Sequence, residues 1–302
     1  MSDFQKMLVW FSLLLMGLVS AAALVSFRRA VLTQQSLQPE DGSLRIVSLA
    51  PNLTEILFAM GLGEQVVGVS SDSNFPPEAA RCKKVGTFWN PDAEAVLAVR
   101  PTLVITLGFE QQATLAALLE RSGCRTLRLD VDTIPQLYKA IEAIGSAAGC
   151  PQAAEDLVCQ IAEGLEAFRG KASNCARRAV WILQRQPLRA AGKKTYFTEL
   201  LEIAGARNAV ESSFYSFPLL TEEHFLSCDA EVIFETADTP ADLERQKATA
   251  KTFYRRFRGI PAVEQGRVYV LNGDLLCRLG PRIPLALEEI VRCLCGQAEG
   301  AL

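Results

Sequence analysis

The sequence predicts an α/β fold in which two similar lobes are joined by one long α-helix. Three observations lead to this prediction: strand and helix patterns alternate along the chain, one strongly amphipathic segment stands in the middle, and two short patterns occur on both sides of it. Alternation of this kind is typical of mostly parallel sheets flanked by helices. With 302 residues, 49% of them hydrophobic, the chain is long enough for two domains with sizeable cores.

The joining helix is predicted over residues 152–169. Its apolar residues recur at spacings of three and four and therefore share one face, which must be buried. These residues are Ala154, Leu157, Val158, Ile161, Leu165 and Phe168. Pro151 suits the first helical position, and Gly170 marks the end of the helix.

The other elements are predicted in chain order from apolar runs, caps and turn residues. Strands are predicted over residues 45–49, 66–70, 103–106, 126–129, 179–183, 232–234 and 268–271. Helices are predicted over 53–60, after the Asn90 cap with Pro91 at its first position, over 111–121, 134–148 and 196–204, after the Thr221 cap, and over 284–294. The stretch that ends at Gly192 is predicted as turns. These elements divide the chain into an N-terminal lobe (45–150), the joining helix (151–170) and a C-terminal lobe (171–302).

Two patterns occur once in each half. TEILFAMG at residues 54–61 matches TELLEIAG at residues 198–205, so the helix after the first strand is repeated. Glu94 and Glu223 each begin a helix that precedes an equivalent strand. An acid in the first helical turn complements the helix dipole, which is the simplest account of both glutamates. Each half is therefore predicted to form a Rossmann-like lobe with a central, mostly parallel sheet.

The first 44 residues are predicted to lie outside this body. Residues 8–25 carry no charged side chain, and an apolar run of this length is able to cross a bilayer core. The run also contains the small residues that a signal peptidase accepts, at 20–23. A cleaved signal peptide over residues 1–26 and an uncleaved membrane anchor both fit, and either one puts the body outside the cytoplasm. Residues 27–44 are predicted to be a tether.

Composition argues against several classes of function. The net charge of -3, with acidic and basic residues interspersed, provides no surface for nucleic acid. The nine cysteines contain no CxxC pair and have one histidine, His224, to join them, so most are predicted to be small buried hydrophobes rather than metal ligands. The sequence contains neither a glycine-rich phosphate loop nor a nucleophile motif, which argues against an enzyme.

The cleft between the lobes is the predicted binding site, because clefts between domains are favoured sites for small molecules. Aromatic residues are concentrated on the loops expected there, namely Phe75, Phe88, Trp89 and Phe109 in the first half and Phe214, Tyr215 and Phe217 in the second. Clustered rings suit a large, flat, partly apolar ligand, although each ring has the alternative of covering the core. Asp274 and Arg278 either orient the same ligand or form an ordinary surface pair.

Four motifs resemble the helical-backbone substrate-binding proteins of ABC importers. They are RIVSLAP at residues 45–51, GVSS at 68–71, VGT at 85–87 and GPRI at 280–283. The resemblance spans residues 45–294 and implies two lobes around a ligand cleft. It also implies docking onto a dimeric membrane permease through one glutamate of each lobe, which by position are Glu94 and Glu223.

The same resemblance implies which residues contact the ligand. Together with the aromatic loops it indicates Ser71, Asp72, Phe75, Phe88, Trp89, Phe109, Tyr215, Phe217, Asp274 and Arg278. The chain also departs from the family's cobalamin binders. Asp72, Leu107 and Leu275 stand where those proteins have aromatic residues, and Thr102 replaces an aspartate.

The ligand that the resemblance implies is a corrinoid, most nearly cobalamin, captured in the periplasm or another extracytoplasmic space. Its metal arrives within the ligand, so neither a cofactor nor a metal site built by the protein is expected. Iron-siderophore and haem carriers share the scaffold, and Tyr196 and Tyr215 are the chief tyrosines available to bind haem iron. A membrane-tethered enzyme or sensor on this scaffold is the alternative outside the transport class.

Overall fold

The computed structural model describes residues 43–175, 177–210, 215–237 and 242–297. The predicted leader (1–26), nearly all of the predicted tether (27–44) and Phe214 lie outside these ranges. No helix within them is long and apolar enough to cross a membrane.

The first half forms a parallel sheet that has five strands within the described residues, in the order β3-β2-β1-β4-β5. The strands are β1 (Ile46–Ser48), β2 (Val66–Val69), β3 (Lys83–Lys84), β4 (Leu103–Leu107) and β5 (Arg125–Leu129). The helices are Pro51–Ala59, Ala93–Ala98, Glu110–Arg121 and Ile134–Ala148. Val47 and Val104 pair across the two central strands and are fully buried, as expected for a parallel sheet covered on both faces.

The second half forms another sheet, whose described strands follow the order β10-β9-β6-β7, with β8 also pairing with β6. The strands are β6 (Arg178–Arg185), β7 (Leu188–Ala190), β8 (Arg207–Asn208), β9 (Val232–Ala237) and β10 (Val268–Asn272). The helices are Tyr196–Ala204, Glu222–Ser227, Leu243–Tyr254, Pro261–Glu264, Gly273–Leu276 and Ile283–Leu294. Strands β6 and β7 are antiparallel and the other pairs are parallel. The predicted class, two lobes with mostly parallel sheets, is confirmed.

The joining helix runs from Pro151 to Glu166 and ends three residues earlier than predicted. Its predicted inner face is buried at Ala154, Leu157, Ile161 and Leu165 and partly buried at Val158 and Phe168. Two glycines allow close packing on this helix. A Cβ added to Gly145 would lie 2.5 Å from the Cβ of Ala154, and one added to Gly164 would lie 2.8 Å from Pro284 Cγ. The helix therefore packs tightly against both halves and shares one core with them.

The helix predicted to begin at Pro91 begins at Ala93 instead. Asp92 is its cap, because the Asp92 carboxylate accepts hydrogen bonds from the backbone N–H groups of Glu94 at 2.9 Å and Ala95 at 3.2 Å. The proline was the wrong marker for this helix start, since a carboxylate that satisfies two free N–H groups determines where the helix begins.

Several elements of the second half were not predicted, namely β7, β8 and the helices Leu243–Tyr254, Pro261–Glu264 and Gly273–Leu276. Strand β7 occupies the stretch predicted as turns and pairs with β6 through Ile182 and Ala190. The helix Leu243–Tyr254 is largely polar and buries only Ala250 and Tyr254 among its residues. Strand β7 is three residues long, too short for an alternating pattern to identify it, and Leu243–Tyr254 lacks the apolar periodicity that indicates a helix.

The described cysteine side chains do not behave as one group. Cys124, Cys228 and Cys293 are buried, whereas Cys159 and Cys277 are exposed. The other three, Cys82, Cys150 and Cys295, are partly buried and pack against the main core. The expectation of small buried hydrophobes therefore holds for some cysteines and is wrong for Cys159 and Cys277.

Candidate functional site

A cavity of about 840 Å³ lies between the two lobes. Its walls come largely from the carboxyl ends of strands and the loops that follow them. Leu107 ends β4, Leu183 and Gln184 lie near the end of β6, and Thr236 lies near the end of β9. Ligands of open α/β sheets bind at this edge. The cavity is therefore the candidate binding site.

Three rings of the first lobe form one aromatic wall of the cavity. The ring centroids of Phe88 and Trp89 are 4.7 Å apart, those of Phe88 and Phe109 are 5.8 Å apart, and those of Trp89 and Phe109 are 6.1 Å apart. Trp89 is 69% exposed and Phe109 is 39% exposed. Rings that touch one another yet leave this much surface open offer a stacking face to a flat ligand.

Polar contacts hold this aromatic wall in place. The backbone N–H of Phe88 donates to Asp72 Oδ2 at 2.6 Å, and Gln112 Nε2 donates to the Phe88 carbonyl at 2.9 Å. Ser71 is bonded to the Gly86 carbonyl through its N–H at 2.8 Å and its hydroxyl at 3.1 Å. Ser71 and Asp72, both predicted to contact the ligand, do not line the cavity. They instead position the loop that carries the rings.

The second lobe contributes Phe217 to the opposite wall. The Phe217 carbonyl accepts a hydrogen bond from Arg189 Nη1 at 2.9 Å, and Arg189 also lines the cavity. Tyr215, predicted for the same wall, is 68% exposed and is not among the cavity-lining residues. Two further second-lobe rings, those of the buried residues Tyr196 and Phe197, also belong to the cavity lining. Each lobe therefore contributes three rings, but the exposed ring surface lies mainly in the first lobe.

Asp274 and Arg278 lie at the cavity floor and are not an ordinary surface pair. Arg278 Nη2 donates to Asp274 Oδ1 at 2.7 Å, and Arg278 Nη1 donates to Asn74 Oδ1 at 2.6 Å. The Arg278 side chain is 13% exposed and lies 3.5 Å from Glu55 Oε1. The surface-pair alternative is wrong, because groups from both lobes hold this arginine in place.

Phe75 belongs to the contact between the lobes rather than to the cavity. The Arg282 guanidinium lies 4.0 Å from the centroid of the Phe75 ring. The same guanidinium pairs with both carboxylate oxygens of Glu55, at 2.5 and 2.8 Å. Glu55 is almost fully buried, with its side chain 1% exposed. A predicted ligand contact thus lies against the guanidinium of a buried salt bridge between the lobes.

The glutamates of the repeated pattern make reciprocal contacts between the lobes. Glu55 extends from the first lobe to Arg282 of the second. Its counterpart Glu199 extends from the second lobe and accepts a hydrogen bond from the Ile134 N–H of the first lobe at 2.6 Å. The repeat is visible in the sequence, but its pattern predicts no role for either glutamate. The signal was present, since the same Thr-Glu pair stands at both positions.

Burial raises the pKa of Glu199 above its ordinary value, the hydrogen bond from Ile134 opposes this rise, and nearby Glu202 adds to it. A carboxyl whose pKa is raised by folding stabilises the fold most below its unfolded pKa. That contribution is lost as the pH rises through the folded pKa. Glu199→Gln keeps an oxygen acceptor for Ile134 and removes the titration.

We expect the variant to gain stability relative to the natural protein as the pH rises from about 4, near the usual glutamate pKa, through the raised pKa of Glu199 in the folded protein. Urea unfolding across this range measures the difference, with Glu163→Gln on the exposed side of the joining helix as the control. A difference that does not change with pH would contradict the prediction.

The two tyrosines predicted as haem-iron ligands differ in position, because Tyr196 lines the cavity and Tyr215 does not. The Tyr196 hydroxyl donates to the Leu276 carbonyl at 2.9 Å, and burial raises the Tyr196 pKa well above its ordinary value. Tyr215 lies outside the lining. Cys277 does line the cavity, with Sγ 3.3 Å from Thr236 Oγ1. Within the part of the chain that the structure describes, no group of three or more His, Cys, Asp or Glu residues is arranged to hold a metal ion.

Glu94 and Glu223 occupy equivalent places in the two lobes. Each lies in the first turn of a short helix, Ala93–Ala98 or Glu222–Ser227, and each side chain is exposed. Each of these helices precedes a strand of its sheet, β4 or β9. The two carboxylates therefore form a matched pair on the surface.

The chain is similar to known proteins along most of its length. A model of the family described as periplasmic binding protein matches residues 46–275. The uncharacterised ABC transporter substrate-binding lipoprotein YvrC of Bacillus subtilis is 31% identical over 258 residues, which make up 83% of this chain and 79% of the relative.

Two solved structures share the fold at 26% sequence identity. The periplasmic haem-binding protein RhuT of Roseiflexus sp. RS-1, in apo form, superposes with a TM-score of 0.72, over 85% of this chain and 100% of that chain. The periplasmic vitamin B12-binding protein BtuF of Vibrio cholerae superposes with a TM-score of 0.69, over 84% of this chain and 98% of that chain.

Proposed function

Because the chain belongs to the periplasmic binding protein family, we propose that it is the extracytoplasmic solute-binding protein of an ABC importer. Its cargo is a corrinoid, most nearly cobalamin, held in the cavity between the lobes and delivered to a membrane permease. The observation that carries this proposal is the 840 Å³ cavity with the rings of Phe88, Trp89 and Phe109 on one wall. Binding rather than reaction is its chemistry, which agrees with the family.

The metal chemistry of the cavity favours a ligand that needs no axial ligand from the protein. Haem iron in proteins is held by His, Cys, Met or Tyr. The Tyr196 hydroxyl is bonded to the Leu276 carbonyl, and His224 and Tyr215 lie outside the lining. A corrinoid carries its cobalt within its own ring, so this site has no need of a resident cofactor or a metal site.

Haem is the second candidate, because Cys277 lines the cavity and a thiolate is able to bind haem iron. The 26% identity to the haem-binding protein RhuT also supports it. A ferric siderophore is the remaining cargo of the same class.

If haem were the cargo, Cys277→Ser would shift the absorption spectrum of the bound haem, and an unchanged spectrum would exclude a thiolate ligand.

The decisive experiment is a calorimetric titration of the purified protein with cyanocobalamin, then with a ferric siderophore and with haem. Tight one-to-one binding of cyanocobalamin is the expected result. If only an iron chelate binds, the proposed transport role would stand, but the cargo would be that chelate rather than a corrinoid. If none of the three compounds binds, the proposal would be overturned and a membrane-tethered enzyme or sensor would be favoured.

Trp89 provides a narrower prediction. Trp89→Ala is expected to weaken cyanocobalamin binding by about 1 kcal/mol or more, because a stacked ring is lost from the cavity wall. The control is Leu285→Ala, which removes a side chain of similar exposure, 53%, from the last helix, away from the cavity. Calorimetry compares the two variants, and equal affinities would exclude Trp89 from the ligand contact.

Delivery to the permease is proposed to use Glu94 and Glu223, which are exposed in matching helical turns. Arginines of a dimeric partner would pair with them, one for each lobe. Retention at the membrane would depend on residues 8–25 if they are not cleaved.

A further inference from the structure

A second, smaller cavity adjoins the cleft in the second lobe. Its volume is about 200 Å³, and it shares Leu183, Gln184 and Thr236 with the wall of the main cavity. The rest of its lining includes Arg185, Glu235 and Gln246. We call this cavity the side pocket. The cleft therefore has a polar extension in the second lobe.

A buried charge pair forms the inner end of the side pocket. Arg185 binds Glu235 through Nε, 3.0 Å from both carboxylate oxygens, and through Nη2, 2.6 Å from Oε2. The Tyr254 hydroxyl donates to Glu235 Oε1 at 2.5 Å. The side chains of Glu235 and Arg185 are 5% and 17% exposed. The carboxylate is thus neutralised and well bonded, so the pair presents no net charge to the pocket.

Hydrogen-bonding groups remain unused around this pair. Arg185 Nη2 donates to the Gln246 backbone carbonyl at 3.1 Å, whereas Arg185 Nη1 has no hydrogen bond among the described residues. Gln184 Nε2 donates to the Gln186 carbonyl at 2.8 Å. Gln184 Oε1 and the Gln246 side-chain amide have no hydrogen-bond partner in the described part of the chain. The side pocket therefore offers both a donor and an acceptor.

We propose that the side pocket is a subsite for a neutral carboxamide arm at the edge of the ligand. The inference rests on the proposed corrinoid cargo and deepens it. A carboxamide donates and accepts together, which matches Arg185 Nη1 and the two glutamine amides. A ligand carboxylate would lie near the negative charge of Glu235. It would gain little binding free energy from Arg185, because Glu235 already balances the charge of this arginine. An apolar arm would leave the pocket's polar groups unpaired, at a cost.

This subsite distinguishes the two candidate cargoes chemically. A corrin ring carries several carboxamide arms around its edge, whereas the polar arms of haem are carboxylates. An arm placed among Gln184, Gln246 and Arg185 would also fix the rotation of the flat ring between the aromatic walls. The side pocket would then determine orientation, and the aromatic rings would supply contact area.

The test is a cycle that combines protein variants with altered ligands. Gln184→Leu and Gln246→Leu remove the amides one at a time, and Gln152→Leu on the exposed side of the joining helix is the matched control. The ligands are cyanocobalamin and its monocarboxylic acids, each with one peripheral carboxamide hydrolysed. Thermal unfolding of each variant verifies that the fold is kept.

Each pocket variant is expected to bind cyanocobalamin about tenfold more weakly, the effect of one or two buried hydrogen bonds. One monocarboxylic acid should bind the natural protein more weakly by a similar factor. That penalty should largely vanish in Gln184→Leu or Gln246→Leu, because the arm no longer has its partner. The control should reproduce the affinities of the natural protein.

Two results would overturn the subsite alone, with cyanocobalamin still bound tightly. In the first, the changes in binding free energy caused by the protein variants and by the ligand changes are additive, which would mean that neither glutamine contacts an arm. In the second, a monocarboxylic acid binds more tightly than its parent and loses this gain in the variants, which would make the pocket an anion site. If the natural protein does not bind cyanocobalamin, the proposed cargo itself fails, and the subsite fails with it.

Discussion

Glu55→Ala is expected to lower the free energy of unfolding by about 3–5 kcal/mol, the usual effect of removing one partner from a buried ion pair. The Glu55 side chain is 1% exposed and pairs with Arg282 at 2.5 Å. Alanine would leave the Arg282 guanidinium, 19% exposed, without its carboxylate. Arg278, 13% exposed, would lose a second negative neighbour. Urea unfolding measures the loss.

The matched control is Glu166→Ala. Glu166 pairs with Arg169 at 2.6 Å, nearly the same distance, but the two side chains are 62% and 61% exposed. Exposed pairs contribute at most about 1 kcal/mol. The comparison therefore sets a buried ion pair between the lobes, with two hydrogen bonds, against an exposed pair within one segment, with one hydrogen bond. Equal effects of the two substitutions would show that the salt bridge between the lobes does not stabilise the fold as argued.

Replacing Glu94 and Glu223 together by alanine is expected to reduce transport at least tenfold, to near background, while leaving ligand affinity unchanged. Both carboxylates are exposed, and neither lines the cavity. A charged pair at a docking surface acts on the partner rather than on the cargo. Uptake of labelled cyanocobalamin with the cognate permease measures transport, and calorimetry measures affinity.

The control for this pair replaces two other exposed glutamates, Glu120 and Glu163, by alanine. This double variant removes the same charge from elsewhere on the surface and is expected to transport normally. If the Glu94 and Glu223 variant bound ligand more weakly, the docking role would be wrong. Normal uptake by the Glu94 and Glu223 double variant would also exclude docking through these two residues.

The contacts between the lobes have a consequence for how ligand is captured. The joining helix packs against both halves, while Glu55 and Glu199 each form a hydrogen bond between the lobes. Large hinge closure needs a few residues that absorb a backbone change with little packing around them. The cleft is instead pre-formed, and its mouth carries exposed rings such as Trp89. We therefore expect ligand binding to depend on side-chain adjustment more than on lobe movement.

Most of the fold was predictable where local periodicity was strong. The helix Ile134–Ala148 has the predicted limits, and the joining helix buries the predicted face. Strand β7 was missed because it is only three residues long, and the helix Leu243–Tyr254 was missed because it buries only two of its residues. Their structure depends on pairing with β6 and on packing against the second sheet, which no local pattern records.

At the site, the linear sequence shows which side chains are available: the ring-bearing loops, the repeated glutamates and the polar pair near the last helix. Their roles follow from the packing of the two lobes, because their partners are remote in the chain. Arg278 meets Asn74 across 204 residues, and Arg282 meets Glu55 across 227. Because of those contacts, Phe75 does not line the cavity, whereas Asp274 and Arg278 do. Contacts between residues so far apart exist only after the lobes have folded and packed, and a linear pattern does not record them.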